Sequence, residues 1–275
     1  MKLCAIQMTS GSEWLQNLRY VELRIKRAAQ QGARLVILPE NAFLFDGKAL
    51  RALVEDEVSQ SIIMDTLKSL ASGLGVWIVV GSHPSINRPD GNPVPNGKVR
   101  QSCLVFSPSR DNCVRYDKIH LFDVNVTDAV GHYKESNFIE PGELNAVVLD
   151  VDGLKVGLSI CYDLRFPELY RALVDKGAEL LLVPAAFTYV TGQAHWNTLL
   201  RSRAIENQAF VMGVNQCGYH TKTRRTFGHS VCYSPWGDDL GQLGDDPENL
   251  YISINPAHIQ ECKSSMPVLE HRRFM

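Results

Sequence analysis

The chain has 275 residues, 45% of them hydrophobic and 21% charged, the proportions of an ordinary soluble globular protein and not of a disordered one. Its 28 basic and 30 acidic residues leave a formal net charge of -2, which supplies no pull toward nucleic acid or an anionic membrane, so neither partner is expected. Apolar runs such as Leu35–Leu38 fall far short of the ~20 residues of a spanning helix, and a chain of this length can bury roughly 75% of its unfolded surface within one large domain.

Met1 to Gln7 lacks the long apolar stretch and cleavage site of a signal peptide and reads as a first strand. Glu13 to Gln31 carries Leu15, Leu18, Val21, Leu23, Ile25 and Ala28 at helical spacing. Gly32 offers a left-handed cap, and an apolar strand continues from it through Pro39, closed by Glu40. Further strands are expected at Gly75–Gly81, at Leu104–Pro108 and at Val114–Phe122, where Lys118 falls. Residues 83–99, rich in Pro, Gly and Asn, read as a surface excursion, and 122–143 as a long polar connection of the kind that is often functional. Leu154–Ile160 alternates like a strand and leads directly into Cys161, with Pro167 opening the next helix, 167–176. Strands come next at 180–184, 209–215 and 231–235, and the tail 257–275 mixes basic and apolar residues without the look of a separate domain.

An internal repeat organises these elements. Gly-Ala-Arg-Leu-Val-Ile-Leu-Pro at 32–39 returns as Gly-Ala-Glu-Leu-Leu-Leu-Val-Pro at 177–184, each after a helix. The strand 75–81 is echoed by 209–215, and Leu104–Pro108 by Val231–Pro235. Strands alternating with helices indicate an α/β protein. Two such half-units bury best sheet against sheet with helices outside. The expected fold is thus a four-layer α-β-β-α sandwich of two pseudo-repeated half-units, a single domain over 1–275; chance similarity of βαβ composition is the alternative.

The seven cysteines (4, 103, 113, 161, 217, 232 and 262) are odd in number and form no Cys-x-x-Cys pair. This speaks against a disulfide framework and a thiolate zinc cage, and makes a reducing cytoplasm the simplest location. Cys161 stands apart. A cysteine at a strand-to-helix elbow lies at the sheet edge near a helix N-terminus, a place that lowers a thiol pKa and supplies backbone N–H groups to an oxyanion. Its other reading is a small core residue, the expected fate of Cys103, Cys217 and Cys232. Glu40 would share that carboxyl edge, where desolvation turns a carboxylate into a useful base, or it caps the next helix or loop. Lys118 is either a solvated edge charge or, beside a thiol and a carboxylate, a fixed cation for a developing oxyanion. Glu, Lys and Cys each closing a separate apolar strand make a far more specific set than any one alone.

Other templates fail: there is no His-Glu-x-x-His, P-loop, dinucleotide-binding glycine motif or Gly-x-Ser-x-Gly elbow, so no metal or cofactor is expected. His120 and His195, flanked by apolar residues, read as hydrogen-bonded structural residues. Arg224-Arg225 and Arg272-Arg273 are short basic pairs, and Arg165 and Arg171 suggest either a carboxylate clamp or structural ion pairs. A papain-like thiol protease would need a Cys-His pair in a context that is missing here.

The segments Leu38-Pro39-Glu40-Asn41, Tyr116-Asp117-Lys118-Ile119-His120-Leu121-Phe122-Asp123 and Ser159-Ile160-Cys161-Tyr162-Asp163-Leu164-Arg165-Phe166-Pro167-Glu168 together resemble the motifs of the nitrilase, or carbon–nitrogen hydrolase, superfamily. Matches at Thr191–Trp196, Arg203–Gln208, Phe227–Ser230 and Pro235–Gly237 extend the resemblance over essentially the whole chain. It implies the α-β-β-α sandwich, cofactor-free hydrolysis, and protomers associating through outer helices, starting from a homodimer. Carried onto this chain, it makes Cys161 the nucleophile, Glu40 the general base and Lys118 the oxyanion stabiliser. Glu135 becomes a second glutamate near the lysine, and the Tyr162 backbone N–H a second oxyanion donor. Cys161 would attack an amide carbonyl, ammonia would leave, and water activated by Glu40 would hydrolyse the thioester. The context Cys161–Glu168 with Ala194-His195-Trp196, and Gln216-Cys217-Gly218 before His220, resembles the deaminated-glutathione amidase branch more than the ω-amidases. An ω-amidase acting on α-ketoglutaramate, an N-carbamoyl amide hydrolase, a nitrile hydrolase and a non-catalytic scaffold are the alternatives.

Overall fold

The computed structural model describes residues 1–109 and 113–274; residue 275, the end of the expected tail, lies outside them. In chain order the first half comprises β1 (Lys2–Ile6), α1 (Trp14–Gln30), β2 (Leu35–Ile37), α2 (Leu50–Glu55), α3 (Glu57–Leu74), β3 (Trp77–Ser85), β4 (Arg100–Phe106) and β5 (Cys113–Asp117). A hairpin, β6 (Asp123–Asn125) and β7 (His132–Lys134), leads to the second half. That half comprises β8 (Val148–Val151), β9 (Leu154–Leu158), α4 (Pro167–Asp175), β10 (Leu180–Ala185), α5 (Tyr189–Asn207) and β11 (Phe210–Asn215). A second hairpin, β12 (Cys217–Tyr219) and β13 (Arg225–Phe227), precedes β14 (Val231–Tyr233), β15 (Asp239–Gln242), β16 (Asn249–Ser253) and α6 (Ala257–Ser265).

The strands form two six-stranded sheets, ordered β16-β1-β2-β3-β4-β5 and β15-β14-β11-β10-β9-β8. In each, three parallel strands (β1, β2, β3 and β9, β10, β11) are flanked by antiparallel ones. The two orders correspond strand for strand, with β16 outside β1 and β8 outside β9. The repeat read in the sequence is therefore a repeat of structure, and chance similarity is set aside.

Alternation along the strands explains the layering. Leu3 and Ala5 of β1 and Leu35 and Ile37 of β2 join Val156, Leu158, Leu180 and Leu182 in the core between the sheets. The intervening Cys4, Ile6 and Val36 face the other way and pack with Val21 and Ile25 of α1 and Ile63 and Leu67 of α3. On the second sheet Leu169 and Leu173 of α4 and Trp196 and Leu200 of α5 cover the outer side. Strands buried on both faces must be apolar throughout, which is why these segments read as continuous hydrophobic runs. Asp56 caps α3 by accepting the Ser59 backbone N–H at 3.3 Å. Gly32 and Gly177, at φ of 79° and 89°, end α1 and α4 as the repeat predicts.

Two differences from the sequence-based expectation have local causes. β3 continues past Gly81 to Ser85 across an irregularity between Val80 and His83. The His83 ring is buried, hydrogen-bonded to Gln60 at 2.8 Å and packed edge-on against Phe43, so the excursion starts after residue 85. The long connection after Lys118 is also less irregular than its composition suggests, since the β6–β7 hairpin and a 3₁₀ turn at Glu135–Asn137 occupy it. Beyond β16, α6 buries Ile259 and Cys262, and Gln208 Nε2 donates to Met266 O at 2.7 Å, docking the tail on the second half. Among the described residues no helix is long and apolar enough to cross a membrane.

Candidate active site

Glu40, Lys118 and Cys161 come from β2, β5 and β9, two different sheets, and line one cavity of about 620 Å³. Each comes just after a strand of its own, β5 running in the same direction as β2 and β3 through two antiparallel pairings, and at such carboxyl ends the chain leaves the sheet and side chains become free of the ladder.

Glu40 is 4% exposed. Its turn continues through Asn41 in the left-handed region, at φ 58°. Asn41 N donates to Ser82 Oγ at 2.8 Å, and its Oδ1 accepts from Gln101 Nε2 at 2.8 Å. Gln216 Nε2, from the other half, donates to Glu40 O at 2.9 Å. A Cβ on Gly81 would meet the Pro39 carbonyl at 2.4 Å, so only glycine lets β3 pass this close beneath the turn.

Lys118, in sequence either a solvated edge charge or a fixed cation, is 2% exposed even though β5 is an edge strand. Its Nζ lies 2.7 Å from Glu40 Oε1 and 2.8 Å from Glu135 Oε1. Both carboxylates, with that of Glu135 ahead, hold the ammonium well above the ordinary lysine range in spite of burial, the largest influence, which opposes charge. Burial and the charge of Glu40 push Glu135 up while Lys118 pulls it down. Glu135 Oε2 also accepts the Phe122 backbone N–H at 2.7 Å.

Cys161 opens a 3₁₀ turn, Cys161–Arg165, rather than the α-helix itself, which starts at Pro167. Its φ of 49° puts a non-glycine residue in the left-handed region, at a cost of about 1–2 kcal/mol. Neighbouring bonds hold it there. Asp163, fully buried, accepts from Ile160 N at 2.9 Å, His120 N at 3.1 Å, His120 Nδ1 at 2.7 Å and Tyr116 Oη at 2.6 Å. One carboxylate thereby ties the cysteine elbow to the segment that carries Lys118.

Position at an elbow predicts a lowered thiol pKa. The reverse holds: burial, and after it the charge of Glu40, push Cys161 well above the usual thiol range, against Lys118 and the Ala186 backbone N–H. The resting group is a thiol that needs a base, and Glu40 is the carboxylate beside it. Tyr162 lines the same cavity.

Among the remaining expectations, His120 is structural, bonded to Asp163 and stacked on Phe166 at 3.6 Å. His195 is exposed, its Nδ1 3.3 Å from Arg165 Nη1. Arg165 lies over the Tyr162 and Phe187 rings, and Arg171 donates to Glu206 O at 3.0 Å. Neither lines the cavity, and neither makes an ion pair among the described residues. The arginine that does line it is Arg224, in the sequence only half of a basic pair, because nothing local shows which way the β12–β13 hairpin turns. Cys103, Cys217 and Cys232 are core residues as expected.

Comparison with known proteins bears on this site. The carbon–nitrogen hydrolase family matches residues 2–264. A deaminated glutathione amidase of Yersinia enterocolitica is 40% identical, covering 98% of this chain and 92% of its own. Nit3 of Saccharomyces cerevisiae, a member of branch 10 of the nitrilase superfamily, superposes with a TM-score of 0.86 at 29% identity, over 100% of this chain and 97% of that one. The C. elegans NitFhit protein superposes with a TM-score of 0.89 at 31% identity over 99% of this chain, which spans 65% of that longer protein.

Proposed function

Because the chain belongs to the carbon–nitrogen hydrolase family and is an amidase by that membership, we propose that Cys161, Glu40 and Lys118 carry the hydrolysis and that the substrate is an amide of the deaminated-glutathione type. The observation that carries the proposal is Lys118 Nζ held at 2.7 Å from Glu40 and 2.8 Å from Glu135, in the wall of the cavity that Cys161 also lines.

Cys161 Sγ attacks the amide carbonyl while Glu40 takes the thiol proton. A nucleophile that rests as a thiol, buried beside a buried carboxylate, suits such a transfer. The oxyanion of the tetrahedral adduct lies between the Lys118 ammonium and the Tyr162 backbone N–H. Glu40 passes the proton to the departing nitrogen, the C–N bond breaks, and a thioester remains. Water then loses a proton to Glu40, adds to the thioester, and the thiol leaves with that proton. These side chains supply every proton transfer, so the proposal includes no metal or cofactor. In glutathione the γ-amide nitrogen belongs to cysteine, so the group that leaves is the amine of cysteinylglycine and not ammonia, a change from the sequence-based expectation. Glu135 positions Lys118.

The proposal includes one carbon–nitrogen hydrolase domain over 1–275, a cytoplasmic location suited to seven unpaired thiols, and a homodimer formed through the outer helices, where Val190 and Ile205 of α5 are exposed. Light scattering in solution tests the dimer. The function is tested by turnover of deaminated glutathione, α-ketoglutaramate, a simple nitrile and an N-carbamoyl amino acid by wild type and Cys161→Ala, tracking the released amine and ammonia separately. Amine release from deaminated glutathione that vanishes in the variant supports the proposal. Preference for α-ketoglutaramate makes the enzyme an ω-amidase, and turnover that survives in Cys161→Ala removes the nucleophile.

A further inference from the structure

Four cations line the cavity: Lys48, Lys118, Lys134 and Arg224. Lys118 is occupied by Glu40 and Glu135. Lys48 and Lys134 are exposed. Arg224 makes no ion pair among the described residues, and unlike theirs its charged group is partly buried, with Nη1 shut from solvent and without a hydrogen-bond partner. Its Nη2 makes one long bond, 3.4 Å, to Ala186 O.

The surroundings fix this guanidinium without neutralising it. It lies 4.6 Å from the Tyr133 ring centroid and 5.7 Å from that of Phe45. Phe45 is in turn stacked on His220 at 3.6 Å. The His220 nitrogens are engaged by Ser10 O and Thr226 Oγ1, and burial lowers its pKa to about 4, so it stays neutral. The carboxylate of Asp128, close enough to feel Arg224, accepts from Val130 N, Gly131 N and Tyr133 Oη instead. A planar fork of donors, set against two aromatic rings and without a carboxylate partner among the described residues, matches one ligand chemistry above others: a carboxylate taken through two parallel bonds. The position fits too. Ala186 offers its carbonyl to Arg224 while its N–H acts on the Cys161 thiol, so a carboxylate here sits a few bonds from a carbonyl under attack.

We propose that Arg224 is the specificity-determining residue of this amidase, binding a carboxylate carried by the amide substrate. The inference rests on the amidase reading above. An amide of the deaminated-glutathione type offers a carboxylate on the acyl side, at the keto acid, and another on the leaving side, at glycine; Arg224 takes one of them.

The test compares butyramide with glutaramate, which carries an acyl-side carboxylate, and N-butyrylglycine, which carries a leaving-side one, in wild type, Arg224→Gln and Arg224→Lys. The ratio of kcat/KM for the favoured carboxylated amide to that for butyramide falls roughly 10- to 100-fold in Arg224→Gln, with Arg224→Lys between. Which ratio falls identifies the side. If both ratios stay within twofold of wild type, Arg224 has no such role although the amidase reading survives. Calorimetric binding of the favoured carboxylated amide, glutaramate or N-butyrylglycine, to Cys161→Ala and to Cys161→Ala/Arg224→Gln decides the matter without turnover. At least tenfold weaker binding in the double variant supports the assignment; equal binding, or none to either, overturns it. Loss of turnover of every amide by wild type would instead overturn the amidase reading.

Discussion

Lys118 Nζ lies 2.8 Å from Glu135 Oε1, and the other oxygen of that carboxylate accepts the Phe122 backbone N–H at 2.7 Å. Glu135 thus serves the lysine and the loop beyond it at once. With a neutral amide at 135, Lys118 would lose one of its two anionic partners and draw more strongly on Glu40, the oxygen that in the proposed mechanism has to accept a proton. Glu135→Gln should therefore lower kcat about 100-fold, the scale of a misplaced general base, with the circular dichroism spectrum unchanged. Wild-type kcat in that variant would show that Glu135 only fills space.

The charge of Glu40 raises the Cys161 pKa, and in the proposed mechanism the same carboxylate takes the thiol proton. The two effects separate in Glu40→Gln. Removing the carboxylate should lower turnover by about 100- to 10,000-fold and yet make the thiol more acidic, since burial then acts without the repelling charge. Iodoacetamide labelling of Cys161 against pH, read by peptide mass spectrometry, measures the second effect. The midpoint should move to lower pH. A midpoint that rises or stays in place would mean that Glu40 does not face the sulfur.

Much of this is legible in the amino-acid sequence, for a physical reason. Glu40, Lys118 and Cys161 each end an apolar strand, and strand ends of an α/β sheet are local features that period and turn residues mark. The repeat at 32–39 and 177–184 carries the two-sheet architecture in the same way. The features that stay hidden depend on contacts across the fold. The direction of the Cys161 pKa shift comes from depth in the cavity, which the elbow by itself does not reveal. The reach of Gln216 to the Glu40 carbonyl joins residues from opposite halves. Arg224 sits in a hairpin whose orientation is fixed by the Thr188–Thr226 bridge and by packing of Phe45 on His220, none of it readable from neighbours in sequence.

Asp163 offers a way to test how the elbow is held. Its carboxylate accepts four donors with no solvent access. Asparagine would turn one oxygen into a donor facing other donors, leaving buried groups unsatisfied at a cost of about 2–4 kcal/mol. The melting temperature of Asp163→Asn should drop by roughly 5–15 °C, and kcat should fall more than KM changes, since the cysteine backbone relaxes from φ 49° while the cavity wall stays in place. An equal loss in kcat with no change in melting temperature would argue that Asp163 takes part in the chemistry and does not simply position the elbow.

The buried thiols make the fold sensitive to alkali. Burial pushes Cys4 and Cys232 up to about 12 and Cys217 up to about 11, whereas a thiol in an unfolded chain loses its proton near ~8.5. Above that pH the unfolded chain binds fewer protons than the folded one, so stability falls as pH rises and is fully present only below it. Each such thiol steepens the slope by up to about 1.4 kcal/mol per pH unit until its folded pKa is reached. Thermal melts in reductant between about pH 8.5 and 10.5 should therefore fall steeply. Cys232→Ala, which leaves a small cavity in the core beside β14, should start lower at neutral pH and then decline with a shallower slope. A slope identical to wild type would mean that the Cys232 thiol ionises in the folded protein as readily as in the unfolded chain, contrary to its burial.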